Sequence, residues 1–145
     1  MGKPTEGEAA IAVVRRNTEE VQGKGDWAAF DELWSEDFVD HTSQPGAAAD
    51  KAAALGVYRG IRTAFPDFRP EIHWQIAAGN MVTTYKTYYG THKGDFLGVA
   101  PTGKAVSFYT IDVMRVEDGK IVAHWGATMV LDLLQQLGAV PPFGE

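Results

Sequence analysis

The 145-residue chain contains no cysteine, which removes disulfides, thiolate nucleophiles and thiolate metal sites from consideration and fits a reducing compartment. It also lacks any run of eighteen apolar residues, so no segment reads as a bilayer span. Basic residues are scarce: 13 Lys and Arg stand against 19 Asp and Glu, a net charge of -6, and none of the 13 is clustered. A nucleic-acid or anionic-membrane surface needs clustered cations, so neither partner is expected. The opening MGKPTEGEAA has no apolar leader core, and Glu6 stands where a myristoylation signal wants Ser or Thr. A cytoplasmic location is the expectation. The four histidines form no HxH or HExxH pattern, there is no nucleophile elbow and no glycine-rich phosphate loop. No metal and no cofactor are expected on those grounds.

What is present is a globular composition, 45% hydrophobic and 22% charged, sufficient for one folded domain over residues 1–145. Thr5 and Glu8 can form a capping box for a first helix that runs to the Gly23-Lys24-Gly25 break. Asp26 can cap a short second helix with Trp27, Phe30, Leu33 and Trp34 on one face. Phe38 to Thr42 reads as extended or turn, and a third helix carrying Leu55, Tyr58, Ile61, Arg62 and Phe65 is stopped by Pro66. From Phe68 the period becomes that of strands: Phe68 to Ala77, a Gly79-Asn80 turn, Met81 to Thr91, a Gly/Pro loop over 92–103, then a long hairpin and a terminal helix from Leu131 to Leu137. The predicted class is α+β, a curved antiparallel sheet of four strands wrapped around the N-terminal helices.

The hairpin turns on Asp118-Gly119, a pair suited to the positive φ angles of a type I′ turn. Regular pairing from Glu117 opposite Lys120 sets Asp112 across from Trp125, Thr110 across from Ala127 and Phe108 across from Met129 on one face. Asp112 is then the single acid among apolar neighbours. Either desolvation raises its pKa and it serves as a general base, or it is paired with a cation or with backbone donors. Lys86, if inward, could be a Schiff-base lysine or the counter-ion of Asp112, but a strand lysine is more often on the rim. Trp34, Tyr58, Trp74, Trp125 and Met129 could line a pocket for a flat apolar ligand, joined by Tyr85, Phe108, Thr110 and Met114, or they could simply form a core. His41 could reach the mouth of such a pocket as donor or proton relay, or bond its own backbone. His92 reads as a loop organiser, and His124, assigned to the face away from Asp112, as a residue that holds the sheet to a neighbour or partner.

Several motifs act together here: Phe65-Pro66-Asp67-Phe68, the block Gly90-Thr91-His92-Lys93-Gly94-Asp95-Phe96-Leu97-Gly98 with Pro101-Thr102-Gly103-Lys104, and Asp118-Gly119-Lys120-Ile121 through His124-Trp125 to Gln135-Gln136-Leu137-Gly138. Together they resemble the SnoaL-like polyketide cyclase family over roughly residues 8–140. The resemblance implies the cone-shaped fold shared with ketosteroid isomerase and nuclear transport factor two, with a deep apolar pocket. It also implies cofactor-free and metal-free intramolecular aldol chemistry run by a pocket carboxylate. Met129 stands where the family's usual acid is expected, and Met114 where a histidine often lies.

The implied function is a cyclase or isomerase acting on a small hydrophobic carbonyl compound, with Asp112 and His41 as catalytic residues. A non-catalytic protein binding a small hydrophobic ligand is the alternative, and epoxide hydrolysis a third, for which no member beyond Asp112 can be placed. Tyr109, Ile111, Val113 and Thr128 form an apolar strip on the far face, from which a homodimer is expected.

Overall fold

The computed structural model describes residues 2–144. Thr5 accepts from the Glu8 amide and Glu8 accepts from the Thr5 amide, both at 3.1 Å, so the capping box starts helix α1 at Glu6–Arg16. The helix then widens into a π-helical stretch, Asn17–Gln22, which directs Asn17, Thr18, Val21 and Gln22 into the interior. Such widenings occur mostly as single turns and are frequent at functional sites. Gly25, with φ +67, reverses the chain, and the Asp26 carboxylate accepts from the Ala29 amide to open α2 at Trp27–Leu33. Asp50 caps α3, Lys51–Ala64, in the same way. The closing helix is α4, Val130–Gln136, followed by Gly138 at φ +79.

The strands are β1 (Trp34–Asp40), β2 (Arg69–Ala78), β3 (Met81–Thr91), β4 (Ala105–Glu117) and β5 (Lys120–Thr128), in the order β1-β5-β4-β3-β2. The α+β class stands, with five strands where four are predicted. The additional one is β1, which pairs parallel to β5 through Val39 with Ala123 and Asp40 with His124. Its sequence, WSEDFVD, holds three acids and no regular alternation, which is why its end reads only as extended or turn and its first residue, Trp34, reads as part of the second helix.

Asp118 (φ 50) and Gly119 (φ 75) both take positive angles, and Glu117 pairs with Lys120 as predicted. The pairing then slips. Val116 faces Ile121, but Arg115 faces Ala123, so Val122 is an extra residue in a β-bulge. Every later partner changes by one and therefore changes face. Asp112 lies beside Gly126, Met114 beside His124 and Thr110 beside Thr128, whereas Trp125 joins Val113 on the outside. Met129 lies beyond the ladder at the start of α4, 37% exposed, its amide donating to the Tyr109 carbonyl.

The core divides in two. One apolar cluster packs α1, α2 and β1 against Val82, Met114, Val116 and Ile121; the other gathers Phe65, Phe68, Tyr88, Val106, Phe108, Leu133 and Leu137. Between Val82 and Tyr88 on β3 lie the inward residues Thr84 and Lys86, and between Phe108 and Met114 on β4 lie Thr110 and Asp112. A polar belt thus separates two dry cores.

Candidate active site

Lys86 is fully buried and Asp112 is 4% exposed, with Lys86 Nζ 3.1 Å from Asp112 Oδ2. The π-helical stretch faces this pair: Nζ donates to Gln22 Oε1 at 3.0 Å and to Thr18 Oγ1 at 3.5 Å, and Gln22 Nε2 donates to the Tyr88 hydroxyl at 3.2 Å. Beside it, Asn17 Nδ2 donates to the Tyr58 hydroxyl at 3.1 Å and accepts from Trp34 Nε1 at 2.8 Å. Burial is the largest influence on the Lys86 ammonium and disfavours it, but the Asp112 carboxylate together with the Tyr88 and Tyr58 oxygens outweighs burial and holds the lysine pKa above its ordinary value. Burial pushes the phenols of Tyr58 and Tyr88 up as well. Of the alternatives open for Lys86, the structure has the counter-ion: an ammonium held protonated is no Schiff-base nucleophile.

Asp112 is therefore paired, and yet one of its oxygens is free. Oδ1 is buried without a hydrogen-bond partner, and so is Gln75 Oε1, two strands away in the same cross-sheet row of Gln75, Thr84, Asp112 and Gly126. The belt adjoins a cavity of about 10 Å³, lined by Gln22, Tyr58, Ile61, Arg62 and Phe68 and of the size of one water. A wider groove of about 540 Å³ runs outside, between α2 and α3 along Phe30, Lys51, Leu55 and Arg59. Asp112 lines neither hollow.

Of the residues expected to line a pocket, Trp34, Tyr58, Phe108, Thr110 and Met114 do face inward. Three do not. Trp125 is turned outward by the Val122 bulge; Trp74 and Tyr85, paired with each other, lie on the outer face of β2 and β3 with Trp74 43% exposed. Met129 is past the end of the sheet, so it does not face Asp112. His41 is also outside, its exposed ring stacked on Trp125 at 4.6 Å and 6°. Its backbone amide donates to the His124 carbonyl. His92 is a loop organiser: Nδ1 accepts from the Thr102 amide at 3.1 Å, and its backbone bonds Gly103 and Lys104.

Sequence reasoning missed His124. The bulge brings it to the inner face, where Nδ1 bonds Asp40 Oδ1 at 3.0 Å. Thr42 donates to the same oxygen from its amide at 3.0 Å and its hydroxyl at 3.3 Å. No local signal could have found it: Asp40 and His124 lie 84 residues apart, and only the pairing of β1 with β5 brings them together. Among the described residues no three His, Asp or Glu converge as a metal site, and no helix is long and apolar enough to cross a membrane.

A family model described as SnoaL-like polyketide cyclase matches residues 12–137. The chain belongs to that family. Among SnoaL-like relatives, the nogalonic acid methyl ester cyclase of Streptomyces nogalater is 36% identical over 67 residues, 46% of this chain and 50% of that protein. The chain thus spans about half the length of this curated relative. The candidate polyketide cyclase IdmH of Streptomyces antibioticus superposes with a TM-score of 0.78 at 30% identity, covering 89% of this chain and 98% of that one. The candidate hydroxylase AclR of Streptomyces galilaeus gives 0.82 at 29% identity over 94% and 85%. For this SnoaL-like chain the cone fold is common ground, and the Asp112–Lys86 belt occupies its interior.

Proposed function

We propose that this chain is a cofactor-independent cyclase or isomerase that acts by acid–base chemistry on a small hydrophobic, polyketide-like carbonyl compound. Asp112 is the base. The observation that carries this reading is the free Oδ1: a buried acceptor without a partner costs about 1–3 kcal/mol, a cost that a purely structural ion pair need not incur. Lys86 compensates the carboxylate charge through Oδ2 and leaves Oδ1 to approach the proton on a carbon next to a carbonyl. Apolar neighbours such as Phe108 and Met114 exclude water from an enolate. The cyclase relatives support a ring-closing carbonyl substrate. Nogalonic acid methyl ester is the first compound to offer. Asp112→Asn should cut its conversion at least about a hundredfold, read by chromatography of the product.

A second reading, an apolar-ligand binder without turnover, is favoured by the groove of about 540 Å³ between α2 and α3, which Phe30 and Leu55 line and Asp112 does not. Its signature is a ligand that raises the unfolding temperature and is recovered unchanged, with Asp112→Asn binding as well as the native chain.

A further inference from the structure

We propose that His124, oriented by Asp40, is the proton donor of this reaction, delivering to the substrate oxygen the proton that accompanies ring closure. The inference rests on the reading of Asp112 as the base that works on carbon. Three observations converge on it. Asp40 Oδ1 already accepts from the Thr42 amide and hydroxyl, so the His124 Nδ1 bonded to it is a donor, and Nε2 is the nitrogen left to work. The donor set is itself anchored, because Thr42 Oγ1 accepts from the Gly126 amide at 2.9 Å. Finally, Nε2 and Asp112 address one point. A Cβ placed on Gly126 would lie 2.9 Å from His124 Nε2, 2.8 Å from its Cε1 and 3.4 Å from Asp112 Cβ. Glycine at 126 leaves room for the imidazole edge, which any larger residue would displace, and the Asp112 side chain reaches the same place through its Cβ.

Each group has a different polarity of task. Asp112 Oδ1 takes the proton from the carbon beside a carbonyl, and the C–H electron pair becomes the enolate. The enolate carbon bonds a second carbonyl carbon, whose π pair moves to its oxygen. That oxygen takes the proton carried on Nε2, while Nδ1–H stays on Asp40. Transfer of the proton from Asp112 to Nε2 restores both groups, and the product is an isomer of the substrate. Side chains facing His124 in this scheme are Asp40 from β1 and Asp112 from β4, with Lys86 of β3 behind Asp112.

The experiment separates the two proton transfers. Native protein and variants are incubated with nogalonic acid methyl ester in D₂O; deuterium uptake at the carbon beside the carbonyl is followed by mass spectrometry, and ring closure by chromatography. Asp112→Asn is expected to lose both by at least about a hundredfold. His124→Gln is expected to keep deuterium uptake within about twofold while closure falls at least about a hundredfold. Gly126→Ala, whose methyl group must displace the imidazole, should repeat the His124→Gln pattern with His124 still present, and it carries the test should the glutamine variant not fold. Parallel loss of both signals in His124→Gln and Gly126→Ala, or loss of neither, overturns the inference. Asp112→Asn retaining both signals instead removes the base and leaves the His124 result to stand alone. Absence of deuterium uptake by the native protein overturns both readings.

Discussion

Lys86 shows how a single residue ties the helices to the sheet. All of its polar contacts are interior: Asp112 on the neighbouring strand, and Gln22 and Thr18 on the π-helical stretch. Removing one partner of a buried pair typically costs about 3–5 kcal/mol, because the other charge is left unpaired. The same burial makes the fold sensitive to alkali. Lys86, Tyr58 and Tyr88 all have folded pKa values raised above their ordinary ones, the lysine because Asp112 and the two tyrosine oxygens together outweigh burial, and the phenols because of burial itself. A raised folded value means that the native state holds its protons longer than the unfolded chain. The contribution is complete below the unfolded values, about 10 for tyrosine and 10.4 for lysine, and is lost as pH climbs through the folded ones. Unfolding temperature followed by circular dichroism should therefore be level near neutral pH and fall steeply above about pH 10. Tyr58→Phe removes one of the three groups and should make that fall shallower; an unchanged slope would show that Tyr58 takes no part.

At the scale of elements, α3 is the weak wall. Of its fourteen residues Lys51 and Ala64 are buried, and Gly56 and Gly60 sit mid-helix with nothing within 4 Å of where a Cβ would be. A helical glycine costs roughly 0.5–1 kcal/mol relative to alanine. Gly60→Ala should raise the unfolding temperature by a few degrees, about 2–6 °C for a chain of this size. On the proposed function, a ring-bearing substrate reaches the belt, beside a water-sized cavity, only if α3 yields, and the stiffer variant should then turn its substrate over more slowly. A rise in stability with unaltered turnover would place the entrance elsewhere. Most elements were legible because their signals are local: the Thr5–Glu8 box, the Asp26 cap, Pro66 after α3 and the Asp118-Gly119 turn. The face of each residue was not. One extra residue, Val122, exchanged Trp125 for His124 on the inner side, and the π-helical stretch turned Asn17, Thr18 and Gln22 inward together, a grouping that a 3.6-residue period does not give. Asp112 and Lys86 could be paired as an alternative from sequence because regular β3–β4 pairing has no slip between Met81 and Thr91.

The outer face of the sheet is the largest question the whole molecule poses. The rows Trp74–Tyr85–Ile111–Ala127 and Ile76–Thr83–Val113–Trp125 run across four strands, with Trp74 43%, Ile76 61% and Tyr109 and Ile111 both 41% exposed. Thr128, expected on this strip, faces inward and bonds Thr110 instead. Contiguous apolar surface of this kind marks an interaction site more often than a free surface. We propose that a second copy of the chain covers it. With a net charge of -6, two copies repel each other over most of their surface, and this face offers apolar and aromatic side chains together with Arg115, which lies over Trp125. A two-fold axis through it sets the same aromatic rows against each other, the self-complementary arrangement of a closed dimer, for which about 800 Å² per partner is usual. Light scattering should then report twice the chain mass of 15.8 kDa, and Ile111→Glu, which places a carboxylate in the middle of the face, should return it to one. Ile111 points away from the Asp112 belt, so the variant should keep its fold by circular dichroism. A native chain already at single mass, or a variant still at double mass, would mean that copies do not associate through this face.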